Sequence, residues 1–209
     1  MTSISDLTTF LAPVAKEVTD LLGLQPNSGY DSSYTDSKVV SLANVAFSQV
    51  ENFLRRKILF GDHTEKYRGV CQELSFKNIP VTDVLEVRWK CHMSVDWTVL
   101  VPIQDPPVVD GYDYWFDTQS LYFKTLYIYN FLEVDLQGGF EDVTDDADLY
   151  NGLVLQTAAL YNRKESLGLN VIHGSTGKGS IASDRGSLIE NAKAALEPLV
   201  YYGSVEDLK

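Results

Sequence analysis

The chain has 209 residues, of which 29 are acidic and 17 basic, for a net charge of −12, and 44% are apolar. This length and apolar content suffice for one domain with a real core, burying roughly 70% of its unfolded surface, and they exclude wholesale disorder. The acidic balance disfavours a protein whose affinity rests on neutralising phosphates, although DNA could slide past an acidic wall whose repulsion is screened beyond about 8 Å at physiological salt. Residues 1–20 lack a basic stretch leading into a continuous apolar run, and nowhere do about 18 apolar residues follow one another, so neither a secretory signal nor a membrane span is expected. Cys71 and Cys91 fit no metal or redox spacing and read as reduced, half-buried thiols of a cytosolic protein.

Leu7, Phe10, Leu11, Val14, Val18, Leu21 and Leu22 recur at helical spacing, and Gly23 and Pro26 supply a stop. A loop rich in Asn, Ser, Gly and Tyr then leads to Asp36 and Ser37, both good N-caps. From there Val39, Leu42, Ala43, Ala46, Val50, Phe53 and Leu54 make one apolar stripe that continues to Ile58 and predicts a long helix. Arg55, Arg56 and Lys57 near its end suit the negative pole of the helix better than they suit a phosphate, and Gly61 lies just beyond.

Between about 64 and 137 the period becomes two, with strands expected at Glu65–Val70, Glu73–Phe76, Val84–Cys91, Trp97–Val101, Tyr112–Phe116, Leu121–Lys124 and Tyr129–Leu136. From Leu85 the alternation is strict, setting Leu85, Val87, Trp89 and Cys91 on a buried face against Glu86, Arg88 and Lys90 on a wet one. Pro80 cannot donate to a ladder and marks a strand junction. Gly138 and Gly139 close the strand region. The acidic run Glu141, Asp142, Asp145, Asp146 and Asp148 leads into a third helix and reads as capping, because it lacks the Gly and terminal Glu of a calcium loop. Leu149, Leu153 and Leu160 form one stripe of that helix and Tyr150, Val154, Ala158 and Tyr161 another, which implies burial on two sides. After a flexible Gly-Ser segment, Asp184 is expected to cap a last helix with Leu188, Ile189, Ala192, Ala195 and Leu196 inward, broken or kinked by Pro198.

The expected fold class is therefore α+β, with an N-terminal helix, a long helix and two C-terminal helices around a small antiparallel sheet or sandwich inserted in the middle. Within a single domain the segments are the N-terminal helix and loop (1–35), the long helix (36–62), the β region (63–140), a helix (141–167), a flexible loop (168–184) and a C-terminal helix and arm (185–209).

Catalytic chemistry has no foothold in the order of residues. The stretch from His173 to Ser180 resembles a phosphate loop superficially. It has Ile172 where the first glycine belongs, Gly179 where a magnesium-binding hydroxyl belongs, and a helix before it. His63, His92 and His173 have no partner at helical zinc spacing. There is no G-x-S-x-G elbow. No catalytic residue, metal or cofactor is assigned, and an enzyme is not expected. Tyr112, Tyr114, Trp115, Tyr122, Tyr127 and Tyr129 could instead form an aromatic surface in a β-rich ligand-binding module, although half of them should fill the sheet core.

The order of a long helix, a small sheet containing LSFKNIPVTDVLEVRW, and then FLEVDLQGGFEDVTDDADLYNGLVLQTAALYNRKESLG resembles the head-tail connector family of long-tailed bacteriophages, also called head completion or adaptor proteins. The resemblance runs from about Ser37 to Tyr202. It rests on Pro80-Val81 between strands, a strand ending in Gly139-Phe140, the Tyr-x-Arg-x-Glu-x-x-Gly helix end from Tyr161 to Gly168, and the close Leu196-x-Pro198-Leu199-x-Tyr201. The extra N-terminal helix and the longer region Met93–Tyr114, with Pro102, Pro106 and Pro107, depart from the family's short forms.

What the resemblance implies is a structural virion protein at the head-tail interface, present in the host cytoplasm during assembly. It would form a dodecameric ring beneath the portal protein and meet a tail-side connector or terminator protein, with DNA passing through without sequence-specific binding and no membrane involved. It also implies portal binding by C-terminal segments, here Leu188, Ile189, Leu196, Pro198, Leu199, Tyr201 and Tyr202, preceded by a flexible interface loop with His173, Gly174, Gly177, Lys178 and Gly179. A tail-side joining or terminator ring protein is the alternative within structural proteins. Isothermal titration with ATP and magnesium should show no saturable binding at micromolar concentration, and saturation there would overturn the reading of Gly174–Ser180.

Overall fold

A computed structural model describes residues 4–26, 31–103, 113–170 and 188–200. It contains helices α1 (Ile4–Leu21), α2 (Ser37–Leu54), α3 (Ala147–Asn170) and α4 (Glu190–Leu196), and strands β1 (Gly61–Ser75), β2 (Val81–Lys90), β3 (Thr98–Val99), β4 (Tyr114–Phe116) and β5 (Ser120–Gly138). The fold is α+β. The chain divides into two compact units, a strand unit over Arg56–Glu141 and a helical unit built from the segments that end at Arg55 and resume at Asp142.

In the helical unit the apolar stripes meet as their spacing predicts. Phe10, Leu11, Val14 and Val18 of α1 and Val39, Ala43, Ala46, Phe47, Val50 and Leu54 of α2 are buried, with Phe10 and Phe47 edge to face at 5.9 Å. Each Val, Leu or Phe among them contributes about 1.5–3 kcal/mol through the water it sheds. Leu21, counted in the α1 stripe, is instead 64% exposed. Asp36 caps α2 by accepting from the Lys38 and Val39 amides, and buried Thr19 ties the cap to α1 by donating to Ala15 O at 2.7 Å while accepting from Asp36 N at 3.2 Å.

The second helix is shorter than its apolar periodicity suggests. It stops at Leu54, with Arg55 in the left-handed conformation at φ 58°. Beyond it the backbone serves the strand unit: Lys57 N donates to Asn78 Oδ1 at 2.7 Å, Phe140 N to Ile58 O at 2.8 Å, and Phe60 N to Phe140 O at 3.0 Å. Ile58 is buried, but not as a helical residue. No basic residue lies in the last turn of α2, so the Arg55–Lys57 triplet is not the helix-pole partner the sequence suggests, and Arg56 is buried.

The strands form one antiparallel sheet in the order β1-β5-β2-β3, with β4 also on β5. Two pairs of expected strands are fused: Glu65–Val70 with Glu73–Phe76 as β1, and Leu121–Lys124 with Tyr129–Leu136 as β5. Past β3, Ile103 N donates to Tyr114 O at 2.9 Å, so the continuation of β3 reaches β4 and the strands surround a common core. That core holds Tyr67, Leu74, Phe76, Val87, Leu100, Tyr114, Leu121, Phe123 and Leu132 among others.

β2 departs from strict alternation. Register shifts between Val81 and Asp83 and between Val84 and Glu86 insert one extra residue each, so the buried positions are Val81, Val84 and Val87, three apart. A bulge turns the following side chain to the other face. Leu85, expected inside, is 52% exposed, and Cys91 is exposed as well.

One carboxylate organises the end of the sheet. Glu65, 3% exposed, accepts from Asn78 N at 2.7 Å, from Asn78 Nδ2 at 2.8 Å, from Lys77 N and from the Tyr67 hydroxyl. This fixes the turn that contains the cis Ile79-Pro80 peptide, and Asn78 passes the restraint on to Lys57. β5 ends tightly against the same turn. A Cβ on Gly138 would lie 2.6 Å from Asn78 O, and one on Gly139, at φ 104°, would lie 2.6 Å from Leu59 O, so both positions need glycine. Removing the carboxylate strands several buried donors, each costing about 1–3 kcal/mol. Glu65→Ala should therefore lower the unfolding free energy in urea by about 3 kcal/mol or more, and an unchanged midpoint would show the network to be dispensable.

Candidate interaction surfaces

The C-terminal segment is anchored by α3. The Gln156 side chain, fully buried, donates from Nε2 to Gln49 Oε1 of α2 at 2.7 Å and accepts from Ile189 N at 2.9 Å. Holding the Ile189 amide in this way fits its extended backbone (φ −69°, ψ 153°), so Leu188 and Ile189 precede α4, a helix of seven residues that starts at Glu190. The expected helix start after Asp184 is corrected accordingly, while Asp184 itself lies outside the described residues. Gly152 makes room for Leu196, whose Cγ would lie 2.5 Å from a Cβ there.

The residues assigned to portal binding thus divide. Leu188 and Leu196 are buried in the helical unit's own core, Ile189 and Leu199 are half-buried, and Pro198 is exposed in a 3-10 turn over Glu197–Leu199. Tyr201 and Tyr202, like His173, Gly174, Gly177, Lys178 and Gly179 of the flexible loop, lie outside the described residues. The face of α3 that carries Gly152 and Gln156 packs against the chain's own segment around α4, while on the expected second stripe Val154 is buried, Tyr150, Ala158 and Tyr161 are half-buried, and Leu155 between the two faces is 38% exposed.

The acidic run works as capping. Asp142 and Asp145 form a reciprocal capping box on the 3-10 turn Val143–Asp145, and Asp146 Oδ1 accepts from Leu149 N at 2.9 Å at the start of α3. The Thr144 amide that Asp142 accepts from, with the Thr144 hydroxyl, holds its carboxyl below the usual range. Among the described residues no group of three or more His, Cys, Asp or Glu could hold a metal ion.

The described aromatic residues do not form one platform. Tyr114 is buried and its phenol is pushed up to about 12, first by burial and then by the Asp83 and Glu86 charges. Trp115 stacks on Tyr122 with centroids 5.4 Å apart. Tyr112 and the side chains of Tyr127 and Tyr129 are outside what is described.

The wet half of β2, Glu86, Arg88 and Lys90, belongs to a larger mixed surface on the sheet face opposite the core. Lys66 and Arg68 of β1, Phe131, Glu133 and Asp135 of β5, and Glu86, Arg88 and Lys90 of β2 occupy neighbouring register positions there. Glu133 bonds Lys66 Nζ at 2.9 Å and Arg88 Nη2 at 2.9 Å, and both cations, Lys66 first, hold its carboxyl below the usual range. Arg68 lies 5.0 Å from the centre of the Phe131 ring, and Lys90 lies 4.3 Å from that of Trp97. Val99 and Val101, 56% and 45% exposed, border this face where β3 meets β2. The cue in the sequence was the polar half of each alternation, but the partners across the ladder depend on bulges that the sequence does not display.

No protein-family model and no curated protein matches the chain. Solved structures do. A chain in the neck of an empty GTA particle computed with C6 symmetry superposes with a TM-score of 0.53 at 17% identity, covering 98% of this chain and 95% of that one. A chain in the virion of a native gene transfer agent (GTA) particle gives 0.55 at 13% identity, with the same coverage of 98% and 95%. A chain in the neck of a native GTA particle computed with C12 symmetry gives 0.51 at 14%, again covering 98% and 95%. At these identities the likeness is one of fold, and it extends over nearly the whole of each chain.

The seat of Leu196 is open to test. Leu196→Ala should cost about 2–5 kcal/mol and Gly152→Val about 1–3 kcal/mol in thermal or urea unfolding of the isolated chain. Wild-type stability in Leu196→Ala would mean that the segment contributes nothing to its own unit.

Proposed function

We propose that this chain is a structural subunit of a virion neck, a head-tail connector that forms a ring beneath the portal and offers a platform to the tail and a passage to DNA. The observation that carries the reading is the end-to-end likeness in fold to chains from particle necks. It agrees with the independent resemblance in the order of sequence motifs. The described surfaces suit the role, since they are built from capping carboxylates, ion pairs and apolar margins. An enzymatic role is not proposed. A tail-side terminator ring would be expected to show less helix than α1 to α4 supply.

In this reading one end of the ring grips the portal through Tyr201, Tyr202 and the accessible described residues Ile189, Pro198 and Leu199, while Leu188 and Leu196 hold that segment to its own subunit. A tail-side connector or terminator meets the other end. DNA passes without sequence-specific binding, as a net charge of −12 per subunit favours. No described helix is long and apolar enough to cross a membrane.

The test is sedimentation velocity and electron microscopy of the full chain, alone and mixed with the portal protein of its own particle. Rings of about twelve copies that cap the portal are expected. A chain that stays monomeric under both conditions would overturn the proposal.

A further inference from the structure

The open sheet face has the make-up of a protein interface. Its charges are mixed, its centre carries Trp97, Phe131 and Arg88, and its margin is the apolar row Val99, Val101 and Ile103, the last 40% exposed. Aromatic residues and arginine are what interface centres are enriched in, and contiguous exposed apolar surface marks a partner. The charges also tell against nucleic acid. Glu86, Glu133 and Asp135 stand among the cations, and Arg88 is drawn to all three, with N–O distances of 2.9, 2.9 and 3.5 Å. A phosphate backbone would meet those carboxylates as readily as it met a lysine.

What the face has left to offer is at one end. Among the described residues, Arg68 and Lys90 meet aromatic rings rather than carboxylates, over Phe131 and Trp97. An acidic partner would complete them. The chain carries such a surface itself: Glu141, Asp142, Asp145 and Asp148 are exposed along one short stretch that contains no basic residue. A ring closes through head-to-tail contacts, in which each subunit presents two different and complementary patches.

We infer that the open sheet face of one copy, centred on Arg68, Lys90 and Trp97 and bordered by Val99 and Val101, receives the acidic stretch Glu141–Asp148 of the next copy. The inference rests on the ring reading and specifies the contact that builds it. Part of the attraction is between exposed charges, so assembly should weaken as salt rises and the screening length falls below about 8 Å.

Charge reversal tests it in a way that misfolding cannot imitate. One variant carries Arg68→Glu and Lys90→Glu, and a second carries Glu141→Lys and Asp148→Lys, positions outside the reciprocal cap of Asp142 and Asp145. Each variant alone, measured by sedimentation velocity with and without the portal protein, should assemble at least tenfold less well than wild type. An equimolar mixture should recover rings, because the acidic face of the first then meets the basic stretch of the second and the reverse contact is the native one. If wild type forms rings and the first variant does so equally well, the inference fails while the ring reading stands. If both variants are impaired and the mixture stays dispersed, the two patches are not partners and the inference fails. If the first variant assembles normally but loses affinity for a fluorescent single-stranded oligonucleotide, the face binds nucleic acid, and the inference is again overturned. A wild-type chain that never forms rings removes the reading underneath.

Discussion

The buried carboxylate of Glu65 is the constraint on which the strand unit depends. A charge removed from water must find its hydrogen bonds locally, and the donors within reach are the amides of residues 77 and 78, the Asn78 amide group and the Tyr67 hydroxyl. Satisfying it fixes the turn between β1 and β2. That turn in turn holds Lys57, where the chain comes into the unit, and presents the carbonyls past which Gly138 and Gly139 carry it out. A single polar residue thus organises the end of the sheet where the chain both enters and leaves it, and the backbone of Lys57 and Ile58 is bonded there rather than continuing the helix.

Gln156 has the corresponding part in the helical unit. It is buried on α3 and reaches both α2 and the segment before α4, so an otherwise apolar packing of helices acquires one fixed arrangement. An amide with donors and acceptors on opposite sides permits few alternatives once water is excluded. Gly152 adds the steric half of the arrangement by admitting Leu196. Together they turn part of an apolar segment inward and leave Ile189, Pro198 and Leu199 as its accessible remainder.

The exposed surfaces of the two units differ in their physical chemistry. The acidic stretch satisfies helix starts while remaining exposed. The sheet face neutralises most of its own charge internally, so that what remains for a partner is confined to Arg68, Lys90 and the apolar margin of β3.

The amino-acid order by itself determined the α+β class, the end of α1, the beginning of α2, the capping role of Asp142 to Asp146, the location of most strands and the glycines that end the sheet. Those features depend on local rules: apolar spacing, side chains that bond nearby amides, and backbone positions that exclude a Cβ. Where α2 stops, which of Leu85 and Val84 is inside, and how much of the Leu188–Leu199 segment is free were decided only in three dimensions. Each depends on a partner distant in the chain: Asn78 and Phe140 for residues 57–60, the β5 register for the β2 bulges, and Gln156 with Gly152 for the C-terminal segment. The open sheet face was illegible for the same reason. Lys66 and Glu133, or Lys90 and Phe131, become neighbours only through a ladder whose register is set by bulges, and a bulge is a compromise among packed strands that no local pattern encodes.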